Sequence, residues 1–309
     1  MNKIKAWLHA FRLRTLPLAF SSIITGSAIA YKNAPEKFNI TVLVLSLVTT
    51  LLLQILSNLA NDYGDSQKGT DNEERIGPKR AIQSGILSFA EMKLGITICA
   101  ALALLTGIGL IAAATKELNI SIGIFFLLLG LSAIAAAIKY TVGKNAYGYL
   151  GLGDVFVILF FGWVGVCGSY FLQAKNFSGL VLLPATCIGL LAATVLHLNN
   201  MRDRESDEKA GKITLAVRLG FEKSKHYFYW LNLIALFAWA TFFLWAKLEW
   251  WQFAVASLPF ILFGATCYKV FTIKTPKDFD SLLKVNALST FLLSILFTFS
   301  LNWLLKKLL

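Results

Sequence analysis

Apolar runs long enough to reach most of the way across a bilayer recur along almost this entire chain, and no water-soluble fold buries that many. Nine can be drawn: Leu16–Tyr31, Ile40–Leu59, Leu94–Ala114, Ile120–Ile138, Val155–Leu172, Leu180–Leu198, Tyr227–Ala246, Trp250–Val270 and Val285–Leu305. A segment inside lipid must satisfy its backbone N–H and C=O groups internally, which leaves helices as the solution for runs of this length. The chain therefore reads as an all-α integral membrane protein. Of its 309 residues 57% are hydrophobic and only 15% are charged, where soluble domains carry about a quarter. No polar stretch is long enough for a second domain, so residues 1–309 read as a single membrane-embedded unit.

Charge decides orientation. All of the 29 Lys and Arg except Lys32, Lys37, Lys116, Lys175, Lys247, Lys306 and Lys307 fall at the N-terminus or in the loops after the even-numbered segments. That asymmetry places the N-terminus in the cytoplasm and the C-terminus outside. The net charge of +12 is spread over short loops without a basic arm or tail, which argues for membrane lipid and anionic substrates and against nucleic acid. Residues Lys3, Lys5, Trp7, Phe11, Arg12 and Arg14 form a basic, amphipathic start with no convincing cleavage site, read as a retained interfacial helix. Cys99, Cys167, Cys187 and Cys267 each sit inside apolar runs, as buried small hydrophobes.

The acids share the basic face. Of 17 Asp and Glu, only Glu36, Glu117 and Glu249 fall outside it. Asn58-Leu-Ala-Asn-Asp-Tyr-Gly-Asp65 ends the second apolar run and continues through Asp71, Glu73, Glu74, Gly77, Pro78, Lys79 and Arg80. Asn199, Asp203 and Asp207 end the sixth. Asn58 to Asp62 and Asn199 to Asp203 have the same spacing, one helical turn, which stacks both side chains on one face. Segments four apart run parallel, so the pattern suggests two pseudo-repeated four-helix units plus a ninth helix.

Carboxylates beside hydrocarbon cost about 2.5–3.5 kcal/mol each and need a positive partner. Either Mg²⁺, a hard cation shared between carboxylates and phosphate, or pairing with Arg75, Lys79, Arg202 or Arg204 in solvated loops would serve. Repetition at matching helix ends favours the metal. Lys79, Arg80, Lys139, Lys144, Arg202 and Lys212 lie near the clusters or between them and suit a diphosphate arriving with its metal; positive-inside anchoring explains most loop bases equally well. The glycine-rich loop Tyr140–Asp154 allows close backbone approach. Its tyrosines, Tyr140 and Tyr147 among them, line an aromatic pocket or sit in the interfacial belt, with the belt slightly favoured; Asp154 is a site residue or a helix cap. His9, His197 and His226 are scattered, and packing or hydrogen bonding suits His197 better than ligation. There is no Walker loop, His-Glu-x-x-His or Gly-x-Ser-x-Gly.

Taken together, Asn58–Asp65 with Lys68-Gly-Thr-Asp-Asn, Arg75-Ile-Gly-Pro-Lys-Arg, Tyr147–Asp154 and Asn199-Asn-Met-Arg-Asp-Arg-Glu-Ser-Asp207 resemble the UbiA superfamily of intramembrane prenyltransferases, over nearly the whole chain. The nearest resemblance is to the branch acting on 1,4-dihydroxy-2-naphthoate in menaquinone biosynthesis. One departure is that Ser66 stands where the broad pattern has a second Asp, and Asp65 precedes it. The resemblance implies helices around a central cavity open toward lipid, in a bacterial plasma (inner) membrane. A polyprenyl diphosphate would be held at the cytoplasmic mouth by Mg²⁺ on Asn58, Asp62, Asp65, Asn199, Asp203 and Asp207. Asp62, Asp203 and Lys144 would be catalytic, and Tyr140, Tyr147 and Asp154 would flank the aromatic substrate. The ring would attack the allylic carbon and lose its carboxylate, giving a demethylmenaquinone and diphosphate. The alternatives are another acceptor, such as 4-hydroxybenzoate, homogentisate or a haem vinyl group, and, from a different class, a secondary transporter. Transport sites usually lie near the midplane, whereas these acids collect at one face.

Overall fold

The computed structural model describes residues 2–71, 76–116 and 118–302. Glu73, Glu74, Arg75, Glu117, Lys306, Lys307 and the Arg14 side chain lie outside what it describes, as does the end of the ninth apolar run. Among the described residues every regular element is helical. These are α1 (Lys3–Phe11), α2 (Leu16–Asn33), α3 (Ile40–Gln67), α4 (Phe89–Thr115), α5 (Ile120–Lys139) and α6 (Gly153–Ala174). They continue with α7 (Leu182–Arg202), α8 (Arg204–Lys209), α9 (Leu215–Trp245), α10 (Trp250–Ser257), α11 (Pro259–Thr272) and α12 (Phe279–Asn302).

Seven helices are individually long and apolar enough to cross a membrane, and two bent pairs, α1 with α2 and α10 with α11, raise the number to nine. Each falls on one of the apolar runs. The eighth run is not one helix: α10 and α11 meet at 44°, because Pro259 has no N–H to continue the ladder of α10. Polar caps start the helices where the runs begin. The Asn39 side chain accepts from the Thr41 and Val42 N–H groups, Asn119 accepts from Ser121, and Ser88 with Glu91 forms a capping box on α4.

The pairing of helices sets the positions of the acids. The helix bearing the first cluster, α3, packs along α4, and the helix bearing the second, α7, packs along α9. These are the second and third spans of each expected four-helix unit. The last helix, α12, closes the bundle against α2 and α7, while α5 lies on α3 and α4.

Between α2 and α7 runs α6, whose middle, Ile158–Cys167, is a π-helix. Its wider turn is tolerated because glycines remove side chains at both crossings. A Cβ on Gly162 would stand 2.5 Å from the Ala185 carbonyl and 2.9 Å from Gly189 Cα; one on Gly26 would overlap Ser169 and the Val166 carbonyl. Small residues at helix crossings are how membrane bundles bring backbones together.

The short α1 is amphipathic, as its sequence predicts. Ala6 and Ala10 are buried in a cluster with Leu59, Ala81, Leu87 and Met92, while Ile4 and Leu8 remain exposed. Its end forces Arg12 into the left-handed region, φ 49°, before α2 begins.

Candidate active site

A cavity of about 400 Å³ lies between α2 to α7 and α12. Its polar end includes Arg12, Asn58, Asp65, Arg80, Asn199 and Lys212; farther in, Phe126, Phe160 and Leu172 line it. The polar end is where α3 and α7 finish. Helix α3 continues past Leu59 to Gln67, so Asn58, Asp62 and Asp65 occupy its last turns, all three at most 3% exposed. Asp203 ends α7, and its carbonyl accepts from the Asp207 N–H at 2.8 Å, which keeps the two acids one turn apart.

Every one of these carboxylates meets a base. Arg12 Nη2 lies 2.5 Å from Asp62 Oδ1, and Arg80 donates to the same oxygen while its Nε stands 3.6 Å from Asp71. Arg202 donates to Asp203 at 2.7 and 2.9 Å, to Asn199 Oδ1 at 2.8 Å and to Asp280 at 2.5 Å. Lys212 joins the two clusters: its Nζ is 3.3 Å from both Asp65 oxygens and 3.7 Å from Asp207. Burial alone would lower the Lys212 ammonium, but Asp65 and Asp207 outweigh it and hold it well above its ordinary pKa. Pairing with bases was one of the two readings open from sequence, but solvated loops are not where it occurs: Arg80, Arg202 and Lys212 are themselves buried.

Among the described residues, no three Asp, Glu, His or Cys side chains already converge on a point that could hold an ion. The donors nonetheless suit Mg²⁺, being carboxylate and amide oxygens, all buried except the half-buried Asn199, on two helix ends that Lys212 bridges. Asn58 commits its Nδ2 to the Phe11 carbonyl (3.0 Å) and Thr15 (3.3 Å), which leaves its oxygen outside those bonds.

Tyrosines form the next layer. Tyr149 donates to Asp65 at 2.9 Å and lies 2.6 Å from the Thr70 hydroxyl, and Lys68 Nζ stands 3.8 Å over its ring. Burial, reinforced by Asp65, pushes the Tyr149 hydroxyl above its ordinary pKa, so it remains a donor. Tyr140 and Tyr147 line the cavity rather than the interfacial belt favoured from sequence. Tyr147 stacks on Phe156 at 3.9 Å and donates to the Ala136 carbonyl at 2.9 Å.

Other expected residues are placed elsewhere. Lys79, Lys139 and Lys144 are exposed, and the cavity wall does not include them; Lys144 projects from the turn after α5. Asp154, 2% exposed, is not among the residues lining the cavity. Its Oδ2 is 3.6 Å from His197 Nδ1, and His197 Nε2 lies 3.1 Å from the Ser224 carbonyl, so this group ties α6, α7 and α9 together.

Sequence reasoning missed Arg12 as a site residue, reading it as part of a surface helix, and missed Tyr149 and Asp280. A sequence signal existed for Asp280: it opens an apolar run on the acidic face, as Asp62 and Asp203 close theirs.

The chain matches the UbiA prenyltransferase family over residues 19–296 and belongs to it. It is 45% identical over 301 residues to the 1,4-dihydroxy-2-naphthoate octaprenyltransferase of Haemophilus influenzae, covering 97% of this chain and 96% of that protein. The Escherichia coli enzyme of the same name is 49% identical over 227 residues, 74% of this chain and 72% of its own. Among solved structures, a UbiA homolog from Archaeoglobus fulgidus bound to DMAPP and Mg²⁺ superposes with a TM-score of 0.59 at 19% identity, covering 94% of this chain and 99% of that one. A digeranylgeranylglyceryl phosphate synthase gives 0.61, also at 19%, covering 98% and 100%. At that identity the likeness is one of fold.

Proposed function

We propose that this chain transfers a polyprenyl group from polyprenyl diphosphate to 1,4-dihydroxy-2-naphthoate, with loss of the carboxyl as CO₂ and release of diphosphate. The product is a demethylmenaquinol, the reduced form of a demethylmenaquinone. The observation that carries this reading is the 45% identity to a protein of that named activity along 97% of the chain. The names of the relatives favour an eight-unit prenyl donor.

The site is consistent with that chemistry. Arg12, Arg80 and Lys212 line the polar end, which supports a role for them in binding the diphosphate. Asn58, Asp62, Asp65, Asn199, Asp203 and Asp207 are the oxygens proposed to hold Mg²⁺. When bound, the ion supplies Lewis-acid stabilisation of the departing diphosphate. Arg202 acts as a positioning residue, fixing Asn199 and Asp203 against the start of α12 through Asp280. Phe156, Phe160 and Tyr147 give the cavity an aromatic, water-poor wall, suited to a cation-like allylic carbon and to a naphthalene ring. Its exposure removes Lys144 from the catalytic set in this reading. Residues 1–309 are read as one domain, with the mouth facing the cytoplasm.

The test is a product assay on purified protein in detergent with 1,4-dihydroxy-2-naphthoate, octaprenyl diphosphate and Mg²⁺, against an EDTA control. Metal-dependent prenylated product with released CO₂ is expected. Product from 4-hydroxybenzoate or homogentisate alone would move the function to another acceptor, and substrate-driven ion flux without chemical change would make the protein a transporter.

A further inference from the structure

Helix α3 carries a second polar stripe, deeper than its acids. Thr50, Gln54, Ser57 and Asn61 follow one another at spacings of four, three and four, which puts them on one face, and all four line the cavity. Gln54 lies inside the second apolar run, one turn deeper than Asn58 and about 12 Å along the helix from Asp62. A side-chain amide in such a run is costly unless its donors and its acceptor are met.

Thr15 meets the nitrogen. Its hydroxyl gives its only proton to the Arg12 carbonyl at 2.9 Å, so toward side-chain amides it acts as an acceptor alone. It accepts from Gln54 Nε2 at 3.2 Å and from Asn58 Nδ2 at 3.3 Å, and both amides are thereby turned the same way, nitrogen to Thr15 and oxygen elsewhere. Gln54 Oε1 accepts no hydrogen bond from another described residue. The fold thus orients the amide and keeps its oxygen for a donor that enters the cavity.

Two substrates enter in the proposed reaction, and one of them brings a donor. A polyprenyl diphosphate is an array of acceptor oxygens on a hydrocarbon chain. The aromatic acid carries two phenolic O–H groups; its 1-hydroxyl lies beside the carboxylate and bonds to it internally, so the 4-hydroxyl is the free donor. A diphosphate held at the acids, followed by its allylic carbon, puts the attacking ring roughly two turns deeper than Asp62, at the level of Gln54. Phe156 and Phe160 of α6 offer that ring a face to stack on, which leaves its edge to α3.

We propose that Gln54 is the binding residue for the 4-hydroxyl of the aromatic acid, with Oε1 accepting its hydrogen bond. This rests on the function proposed above and adds a substrate contact to it. The contact also selects the acceptor, because an aromatic acid with no donor at that edge leaves a desolvated amide oxygen unpaired.

The test measures competitive inhibition by 4-hydroxy-2-naphthoate and by 2-naphthoate, which differ in that one hydroxyl, on wild type and on Gln54→Met, a side chain of similar length without an acceptor oxygen. Wild type is expected to bind the hydroxylated acid more tightly by roughly fivefold to a hundredfold, the range for one buried hydrogen-bonding group gaining its partner. Gln54→Met should bring that ratio to within about twofold of unity and raise KM for 1,4-dihydroxy-2-naphthoate over the same range, with KM for the prenyl diphosphate within about twofold of wild type. Equal inhibition of wild type by the two acids, a ratio that survives in Gln54→Met, or an equal rise in both KM values would overturn the assignment. Thermal unfolding in detergent checks folding; should Gln54→Met not fold, the wild-type ratio and the ratio on Gln54→Leu decide in the same way. Wild type that prenylates a different acceptor would remove the proposed function first, a result of the product assay alone and separable from normal turnover of the naphthoate with equal inhibition by the two acids.

Discussion

Asp62 is a carboxylate of 1% exposure approached by two guanidinium groups, and its energetics follow from that. Removing one partner of a buried pair costs about 3–5 kcal/mol, because the remaining charge is left in a low-dielectric site. Here a second arginine remains. Arg80→Met and Arg12→Met should therefore each cost toward the lower end, with the double variant losing more than the sum; a thermal-unfolding double-mutant cycle in detergent checks this. Asp62→Asn should abolish turnover while the protein stays folded, and near-normal activity would count against the metal role proposed for it. Lys212 yields a pH prediction. Its folded-state pKa is raised, so its contribution is fully present below the unfolded value, about 10.4, and is lost only as pH rises through the folded value above that. The stability gap between wild type and Lys212→Met should be the same at pH 7 and pH 9, with narrowing confined to more alkaline solution. Unfolding midpoints across that range test it, and a gap already closing by pH 9 would mean a lowered pKa. The acids of this site were legible in the sequence because carboxylates at the end of an apolar run are expensive and conspicuous. Their partners were not: Lys212 reaches Asp65 across 147 positions and Arg12 reaches Asp62 across 50, distances that only packing closes. Lys144, near the glycine-rich loop in sequence, illustrates the same limit in reverse.

At the level of elements, the nine apolar runs located the spans, since hydrophobic length is sufficient to mark a membrane helix. The π-helix of α6 had no such signal, because every residue from Ile158 to Cys167 is compatible with an ordinary turn and the widened one is enforced by neighbours. The glycines at its crossings bear the consequence. Gly162→Ala would press a methyl against Ala185 and Gly189 backbone atoms that cannot rotate away, at a cost of about 1–3 kcal/mol or more. Because Gly162 sits beside the cavity-lining Phe161, a displaced α6 should lower turnover as well as the unfolding temperature. Gly264, within α11, has no heavy atom within 4 Å of an added Cβ, so Gly264→Ala should leave turnover unaffected and raise stability by up to about 1 kcal/mol, the ordinary gain of Ala over Gly inside a helix. Thermal unfolding of the two variants in one detergent separates a packing glycine from a dispensable one.

For the whole molecule, the architecture gathers all of the site's parts at one end of the bundle: α3, α5 and α7 finish there, and α2, α4, α6 and α12 begin there. The bases are concentrated at that same end, which the positive-inside rule assigns to the cytoplasm. Two exposed lysines make the assignment testable, because Lys144 follows α5 at the site end and Lys247 follows α9 at the other. The native cysteines are buried or half-buried, so single Lys144→Cys and Lys247→Cys variants provide distinguishable thiols. A membrane-impermeant maleimide should label Lys247→Cys in right-side-out vesicles and Lys144→Cys in inverted ones. The opposite pattern would place the mouth of the cavity outside the cell, away from the compartment in which a charged, soluble aromatic acid and a diphosphate leaving group are made and consumed. Labelling of both from one side would instead mean that one of the three spans between them, α6, α7 or α9, does not cross. The crossing of the bent pair α10–α11, which follows both labelled positions, is fixed instead by Asp280 of α12 meeting Arg202 of α7, a contact that requires the start of α12 to share a face with the end of α7.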